Sequence, residues 1–320
     1  MSRDINFDSP ALDINVHFKG GGLGDQIARL PALKYVLDHA TNTRRFYLIC
    51  PEYFMEVAKH LLKPYESKIT YIAEEDAKSI ANYKLNALTT DEGHHTTMRT
   101  HLTDHAFHTI ADAEVDVKFK DYLQIRPDEL DVSHLNLPPE YVVVTTGYTA
   151  LVRQWLPAQV NDVIDHIKSK GLRIVFLGKE QVANGLYGNF RTDAVNYQLG
   201  INLINRTTLL DAAVVMAGAK AVVGLDNGLI HLAACSQVPI VAGYTSVNPK
   251  IRMPYRNGKL GDRTFTVEPD ASLSCRYCQS SCYLNFTHKF TECYYKDYKC
   301  LVQLRSEKWI KALDEALLLK

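Results

Sequence analysis

The chain has 320 residues, with 36 Lys/Arg against 36 Asp/Glu for a formal charge of zero, 46% apolar residues and 22% charged ones. Such a composition folds rather than staying disordered, and at about 100–200 residues per domain the length predicts two domains. Neutrality excludes an indiscriminate polycation, so contact with nucleic acid or a membrane surface would need a local patch. The longest uncharged run, Asn227 to Pro249, is interrupted by His231, Ser236, Gln237 and Pro239, whereas a membrane span needs about 20 mostly apolar residues. The opening MSRDINFDSP lacks the apolar stretch of a signal peptide. The expectation is a soluble, cytoplasmic protein.

In chain order, Ile14 to Phe18 reads as a strand running into Lys19-Gly20-Gly21-Gly22-Leu23-Gly24-Asp25. A helical stripe of Ile27, Leu30, Leu33, Val36 and Leu37 follows. Pro31 sits early in that helix, where a bend is expected. Phe46 to Cys50 is a strand, Glu52 to Leu62 a helix, and Ile69 to Ile72 a strand. The stretch from Asp91 to Pro127 breaks the alternation and is rich in histidine (His94, His95, His101, His105, His108), which suggests a long functional loop with one short helix.

Leu135-Asn136-Leu137-Pro138-Pro139 reads as a linker, because paired prolines end regular structure. After it come strands at Tyr141 to Thr145, Arg173 to Leu177, Ala221 to Leu225 and Pro239 to Ala242. Helices alternate with them at Val160 to Lys168, Leu209 to Ala217 and Gly228 to Cys235. Lys308 to Leu319 places Trp309, Leu313, Ala316 and Leu317 on one face of a last amphipathic helix. Strands alternating with helices predict α/β domains with parallel sheets. The boundaries read as 1–138, 139–305 and a terminal helix at 306–320.

Two strand-to-helix turns stand out. The first is glycine-rich and ends in Asp25. It lacks the third glycine of a dinucleotide fingerprint, which would fall at Ile27, and neither Gly-Lys pair, Gly178-Lys179 or Gly258-Lys259, is followed by the Ser/Thr of a P-loop. Asp25 lies at the carboxyl edge of the first strand, the side that faces a ligand in open α/β sheets; it reads equally as a helix cap. The second turn, Leu225-Asp226-Asn227-Gly228, opens a helix whose early N–H groups suit a diphosphate, with His231 about one turn in. A cap at Asp226 and a core histidine at His231 is the competing reading.

Gly24-Asp25 through Pro31-Ala32-Leu33 resembles the Gly-Asp…Pro-Ala-Leu motif of family 9 glycosyltransferases, the heptosyltransferases of lipopolysaccharide assembly and their relatives. Asp226-Asn227-Gly228-x-x-His231-Leu232-Ala233 resembles that family's Asp-Ser/Thr-Gly-x-x-His-Leu-Ala motif, with Asn227 at the Ser/Thr position. Val238-Pro239-Ile240-Val241 resembles the following strand, Arg153-Gln154-Trp155 a basic-x-Trp step, and Gly178-Lys179-Glu180 a Gly-x-Glu turn. The matches run in family order over most of the chain.

The resemblance implies a GT-B fold: two Rossmann-like parallel-sheet domains facing a cleft, the first receiving the acceptor and the second binding the nucleotide sugar, with a C-terminal helix crossing back onto the first. It implies inverting transfer from a nucleotide-sugar donor without a catalytic metal. Asp25 is then the base. Arg153, where a lysine is common, neutralises the leaving diphosphate, helped by the Asn227 and Gly228 amides. Asp226 and His231 hold the donor sugar or diphosphate, Glu180 the ribose, and Gly22, Gly24 and Gly178 let the backbone approach the donor. The histidine-rich stretch matches no family motif.

Five of the seven cysteines crowd into Cys275-x-x-Cys278-x-x-x-Cys282, Cys293 and Cys300, with His288 between them. This reads as a structural zinc site or as buried thiols or adventitious disulfides. The segment Lys250 to Arg305 holds ten Lys/Arg and five Asp/Glu, a local charge of +5, interleaved with tyrosines. The acceptor is therefore a saccharide such as a lipopolysaccharide core or, in a viral setting within a host cytoplasm, a hydroxymethylated base in DNA. A non-catalytic sugar-nucleotide-binding protein is the alternative of another class.

Overall fold

The computed structural model describes residues 13–40, 45–79, 87–89, 100–146, 151–179, 195–281, 293 and 295–319. The chain forms two compact units, Met1–Arg126 with Pro254–Leu260, and Pro127–Met253 with Gly261–Lys320. No described helix is long and apolar enough to cross a membrane.

The first unit is built on β1 (Asp13–His17), β2 (Arg45–Cys50), β3 (Ile69–Ala73) and β4 (Ala87–Thr89), which form one sheet in the order β3-β2-β1-β4, every pair parallel. Parallel neighbours need a crossover. Helix α1 (Leu23–His39) supplies the one between β1 and β2, burying Ile27, Leu30, Leu33, Val36 and Leu37. Pro31 lies inside α1 without ending it. Helix α2 (Glu52–Leu61) follows β2 and buries Phe54, Val57 and Leu61. Within the histidine-rich stretch, Leu102–Ala106 is a helix that continues into a π-helical turn, Phe107–Ala111, packed against α1.

The second unit contains β5 (Tyr141–Thr145), β6 (Arg173–Leu177), β7 (Ile201–Asn202), β8 (Ala221–Leu225), β9 (Ile240–Gly243) and β12 (Thr264–Val267), in the all-parallel order β12-β9-β8-β5-β6-β7. The central strands β5 and β8 are buried along their whole length and read as continuous apolar runs, as parallel strands covered on both faces do. A Cβ at Gly224 would lie 1.8 Å from Thr145 Oγ1, so only glycine fits β8 beside β5 here.

Two features bear on the domain reading. The contacts divide the chain at Arg126/Pro127 rather than at Pro138-Pro139, and the short hairpin of β10 (Tyr255–Arg256) and β11 (Lys259–Leu260) belongs to the first unit. Tyr122 N–H donates to Tyr255 O at 2.9 Å, and the Asp121 carboxylate accepts from Gly258 N at 2.9 Å, which ties the hairpin there. The terminal helix, expected to cross back onto the first domain, forms as Ser306–Leu317 and packs against β8, β9, β12 and the helix Pro157–Ser169 of its own unit. The reason is its apolar face. Trp309, Leu313 and Ala316 lie in one cluster with Val223, Leu225 and Val241. Trp309 stacks on Trp155 at 4.1 Å between centroids, and its Nε1 donates to Leu304 O at 2.9 Å. A Cβ on Gly243 would lie 2.5 Å from the Trp309 ring, so the strand is fitted to this helix.

Trp309→Ala is expected to cost about 3–5 kcal/mol of stability in urea unfolding, as for other buried tryptophans. Leu318→Ala, at an exposed position just beyond the helix, should stay within about 0.5 kcal/mol of the parent.

Candidate active site

In the first unit the turn after β1 is a locked glycine loop. Gly20 and Gly21 have φ of 62° and 84°, the left-handed region that favours glycine. A Cβ at Gly21 would lie 2.8 Å from the Asp25 Cβ. Gly22 precedes the first helical residue, and its N–H donates to Asp25 Oδ2 at 2.8 Å. Gly24 is buried in the first turn of α1. Two side chains grip the loop: Gln26 Nε2 donates to Gly20 O at 2.8 Å, and the Arg29 guanidinium donates to Gly20 O at 2.9 Å and Lys19 O at 3.2 Å.

Burial lowers the Arg29 pKa, opposed by the charges of Asp25, Tyr53 and Glu74. Tyr53, in the first turn of α2, is 52% exposed, and its phenol is pushed up by burial and by Asp25. Glu74 Oε1 lies 3.5 Å from His17 Nε2. Asp25, Arg29, Tyr53 and Glu74 thus share one electrostatic neighbourhood at the carboxyl edge of this sheet. The sequence reading named only Asp25 of the four; Arg29 lay in full view inside the quoted motif.

Two of the described histidines in the histidine-rich stretch have defined surroundings. His101 Nδ1 caps the following helix by accepting from Thr103 N at 3.1 Å. His105 is buried, and desolvation, helped by Arg29 and His108, lowers its pKa. His94, His95 and His288 lie outside the described residues.

In the second unit the turn after β8 carries a buried ionic centre. Asp226 is 5% exposed and His231 2%. Arg153, from a one-turn helix at Leu151–Arg153, places Nε 3.9 Å from Asp226 Oδ2, and His231 Nε2 lies 3.7 Å from Asp226 Oδ1. Burial by itself raises the Asp226 pKa; the Arg153 charge, the His231 side chain and the Arg252 charge more than offset it and hold the carboxyl well below the usual range.

Arg252 escaped the sequence reading. It is 7% exposed and follows a 3-10 turn at Pro249–Ile251, with no motif around it to mark it. Asn227 has a local duty, its Oδ1 accepting from Leu229 N at 2.9 Å and Ile230 N at 3.3 Å to cap the helix that Gly228 begins. Gly178 follows β6, and its carbonyl accepts from Asn205 N at 3.1 Å. Glu180 lies outside the described residues.

Cys275 and Cys278 are half-buried, Cys293 and Cys300 buried, and all four are free thiols. Burial pushes the Cys300 thiol up to about 12, with further contributions from Cys278, Cys293 and Cys275, so the four share one neighbourhood. Among the described residues no three Cys, His, Asp or Glu side chains converge as a metal-ligand group; Cys282 lies outside them. The basic segment is also less free than its charge suggests. Arg276, Lys299 and Arg305 pair with Glu268, Asp297 and Asp270 at 2.6, 2.9 and 3.3 Å.

The profile of glycosyltransferase family 9 (heptosyltransferase) matches residues 68–274. No curated protein gives a significant match in sequence. Among solved structures, the chain is similar to TibC of enterotoxigenic E. coli H10407, described as an iron-containing dodecameric glycosyltransferase, at 15% identity over 97% of this chain and 76% of that one, with a TM-score of 0.72. A second structure of TibC holds ADP-D-β-D-heptose. A family 9 glycosyl transferase from Veillonella parvula matches at 18% identity over 96% and 97%, TM-score 0.65. E. coli heptosyltransferase WaaC with ADP-2-deoxy-2-fluoro heptose matches at 14% over 95% and 99%, TM-score 0.54. The fold is therefore the α/β, parallel-sheet GT-B architecture of these heptosyltransferases.

Because its folded pKa lies below the unfolded value, ionised Asp226 contributes stability above the ordinary carboxylate range, and that contribution fades as pH falls through it toward the folded value. Asp226→Asn should therefore cost about 3–5 kcal/mol near neutral pH, the cost of leaving buried cations without their partner. The gap from the parent should narrow below about pH 4, read by chemical denaturation across pH.

Proposed function

The chain belongs to glycosyltransferase family 9, the heptosyltransferase family, and we propose that it moves a sugar from a nucleotide-sugar donor to an acceptor hydroxyl by a single inverting displacement. One observation carries the donor half of this reading: the buried centre of Asp226, Arg153 and His231 at the carboxyl end of β8. A parallel α/β sheet binds its ligands at that edge. The guanidinium has five donors in a planar fork, so Arg153 can hold Asp226 on one side and phosphate oxygens on another.

The chemistry follows from the groups. As the acceptor oxygen attacks the anomeric carbon, the bond from that carbon to the diphosphate oxygen breaks and Asp25 accepts the hydroxyl proton. A carboxylate is a weak base for an alcohol, and it suffices where the proton moves late, from an oxygen already bonding to an oxocarbenium-like carbon. The leaving diphosphate gains negative charge, and Arg153 meets it in place of a metal ion. Asp226 and His231 orient the donor, Gly22, Gly24 and Gly178 leave room for it, and Glu180 takes the ribose. The first unit receives the acceptor and the second the donor. ADP-linked heptose, held by the TibC structure, is the first donor to test.

For the acceptor a saccharide is preferred to DNA, since several cations of the basic segment are already paired with carboxylates. Asp25 and Arg153 together favour turnover over donor sensing without it. A cytoplasmic setting belongs to the same proposal. The cysteine spacing suits a thiophilic structural metal, zinc or iron as TibC is described, although the four described thiols do not by themselves converge as a ligand group. The candidate thiols are Cys275, Cys278, Cys282, Cys293 and Cys300, with no part in the transfer step.

Asp25→Asn is expected to lower kcat by about 10²–10⁴-fold with donor affinity kept, measured with ADP-heptose against lipopolysaccharide core and hydroxymethylated DNA as rival acceptors. Normal turnover by this variant removes Asp25 as the base. Metal analysis of protein purified without a histidine tag should return near-stoichiometric zinc or iron; trace metal alone overturns the structural-metal reading.

A further inference from the structure

The cysteine-rich segment has no role in the transfer step, yet its bonds lead to the ionic centre. Its short helix, Cys278–Ser281, is fastened to the loop that leaves β9. Gln279 N donates to Ser246 O at 2.9 Å, and Ser246 Oγ donates to Gln279 Oε1 at 2.9 Å. One residue on, Ser280 Oγ accepts from Asn248 N at 2.9 Å. Asn248 in turn caps the turn Pro249–Ile251, accepting from Lys250 N at 2.9 Å, and Arg252 N closes that turn on Pro249 O at 2.9 Å. The loop so fixed ends at Arg252, the buried guanidinium whose charge reaches Asp226.

A second route reaches the other cation. Cys293 and Tyr298 pack against Val152, the residue before Arg153. The Val152 carbonyl accepts from Thr245 Oγ1 at 2.5 Å, which joins the Arg153 turn to the same β9 loop. The segment therefore touches both the turn that carries Arg153 and the loop that ends at Arg252.

We infer that the cysteine-rich segment is a positioning brace for the donor diphosphate, holding Arg252 as a second phosphate-binding cation beside Arg153. Arg153 Nε lies 3.9 Å from Asp226, Arg252 is buried at the end of the braced loop, and a diphosphate supplies anionic oxygens for guanidinium donors. A brace matters because charge-assisted bonds to phosphate depend on orientation, and a cation on a loose loop loses entropy when the ligand fixes it. Gln279 and Ser280 act through the loop and are positioning residues. The inference rests on the donor reading above.

The test titrates ADP, GDP and UDP by calorimetry into the full chain carrying Arg153→Ala, Arg252→Ala, Gln279→Ala or Ser246→Ala. The last two remove the same side-chain bond from opposite ends, so one of them serves if the other fails to fold. Arg153→Ala and Arg252→Ala should each weaken the best nucleotide by about tenfold or more. Gln279→Ala and Ser246→Ala should weaken it by about fivefold, without adding in the double variant. For Gln279→Ala and Ser246→Ala, donor KM should rise in step while kcat at saturating donor and the melting temperature hold. Gln279→Glu keeps an acceptor for Ser246 Oγ and should restore affinity. If Arg153→Ala weakens binding while Arg252→Ala, Gln279→Ala and Ser246→Ala leave it at the parent value, the brace is overturned and the donor reading stands. If Arg153→Ala also binds as the parent does, the donor reading fails and the brace with it.

Discussion

Every strand pair in both main sheets is parallel, and the chemistry of this protein depends on that constraint. A parallel neighbour is reached only by carrying the chain back across a face of the sheet, so every strand of a sheet ends at one edge. That edge gathers residues far apart in sequence. In the second unit Arg153 comes from beyond β5, Asp226 from beyond β8, Ser246 from beyond β9 and Glu268 from beyond β12. In the first, Asp25 follows β1, Tyr53 follows β2 and Glu74 follows β3. Connectivity, rather than any local motif, sets these groups at one edge of their own sheet.

Burying such groups costs desolvation, which must be offset by partners already in place. The packing beneath the second site supplies that rigidity. Trp155 follows Arg153 by two residues, and its ring stacks on Trp309 of the terminal helix. The same helix is seated on β8, β9 and β12, whose ends bear the site. The terminal helix, through Trp155, and the cysteine-rich segment, through Val152, therefore both hold the stretch that contains Arg153. Arg153 owes its place to elements that follow it by more than a hundred residues in the sequence, an arrangement that local propensity alone does not specify.

Legibility in the sequence followed the kind of signal. Runs buried on both faces, such as Tyr141–Thr145, Arg173–Leu177 and Ala221–Leu225, are visible because a parallel central strand is uniformly apolar. The edge strands β7 and β12 and the β10–β11 hairpin escaped, since Ile201–Asn202 and Tyr255–Arg256 are too short to show a period. The terminal helix was recognisable by its stripe, but a stripe states that a face is buried and not against what. Asp25, Arg153, Asp226 and His231 stood in motifs with fixed spacing. Arg252, Tyr53 and Glu74 did not, because they reach their places through loop geometry and strand order. The cysteine cluster was plain as a cluster, while its bond to the β9 loop runs through Gln279 and Ser280, ordinary residues with no pattern of their own.

The capping and functional readings of the two turns are not rivals. Gly22 N–H holds Asp25 Oδ2, and this bond fixes the rotamer of a carboxylate that a base would need to keep still. At the second turn the family pattern places Ser or Thr where this chain has Asn227. All three residue types carry a side-chain oxygen that caps a helix, and here Asn227 Oδ1 takes two backbone N–H groups. The substitution therefore preserves the acceptor that starts the helix beneath His231. In this chain the side-chain oxygen at position 227 acts as a helix cap.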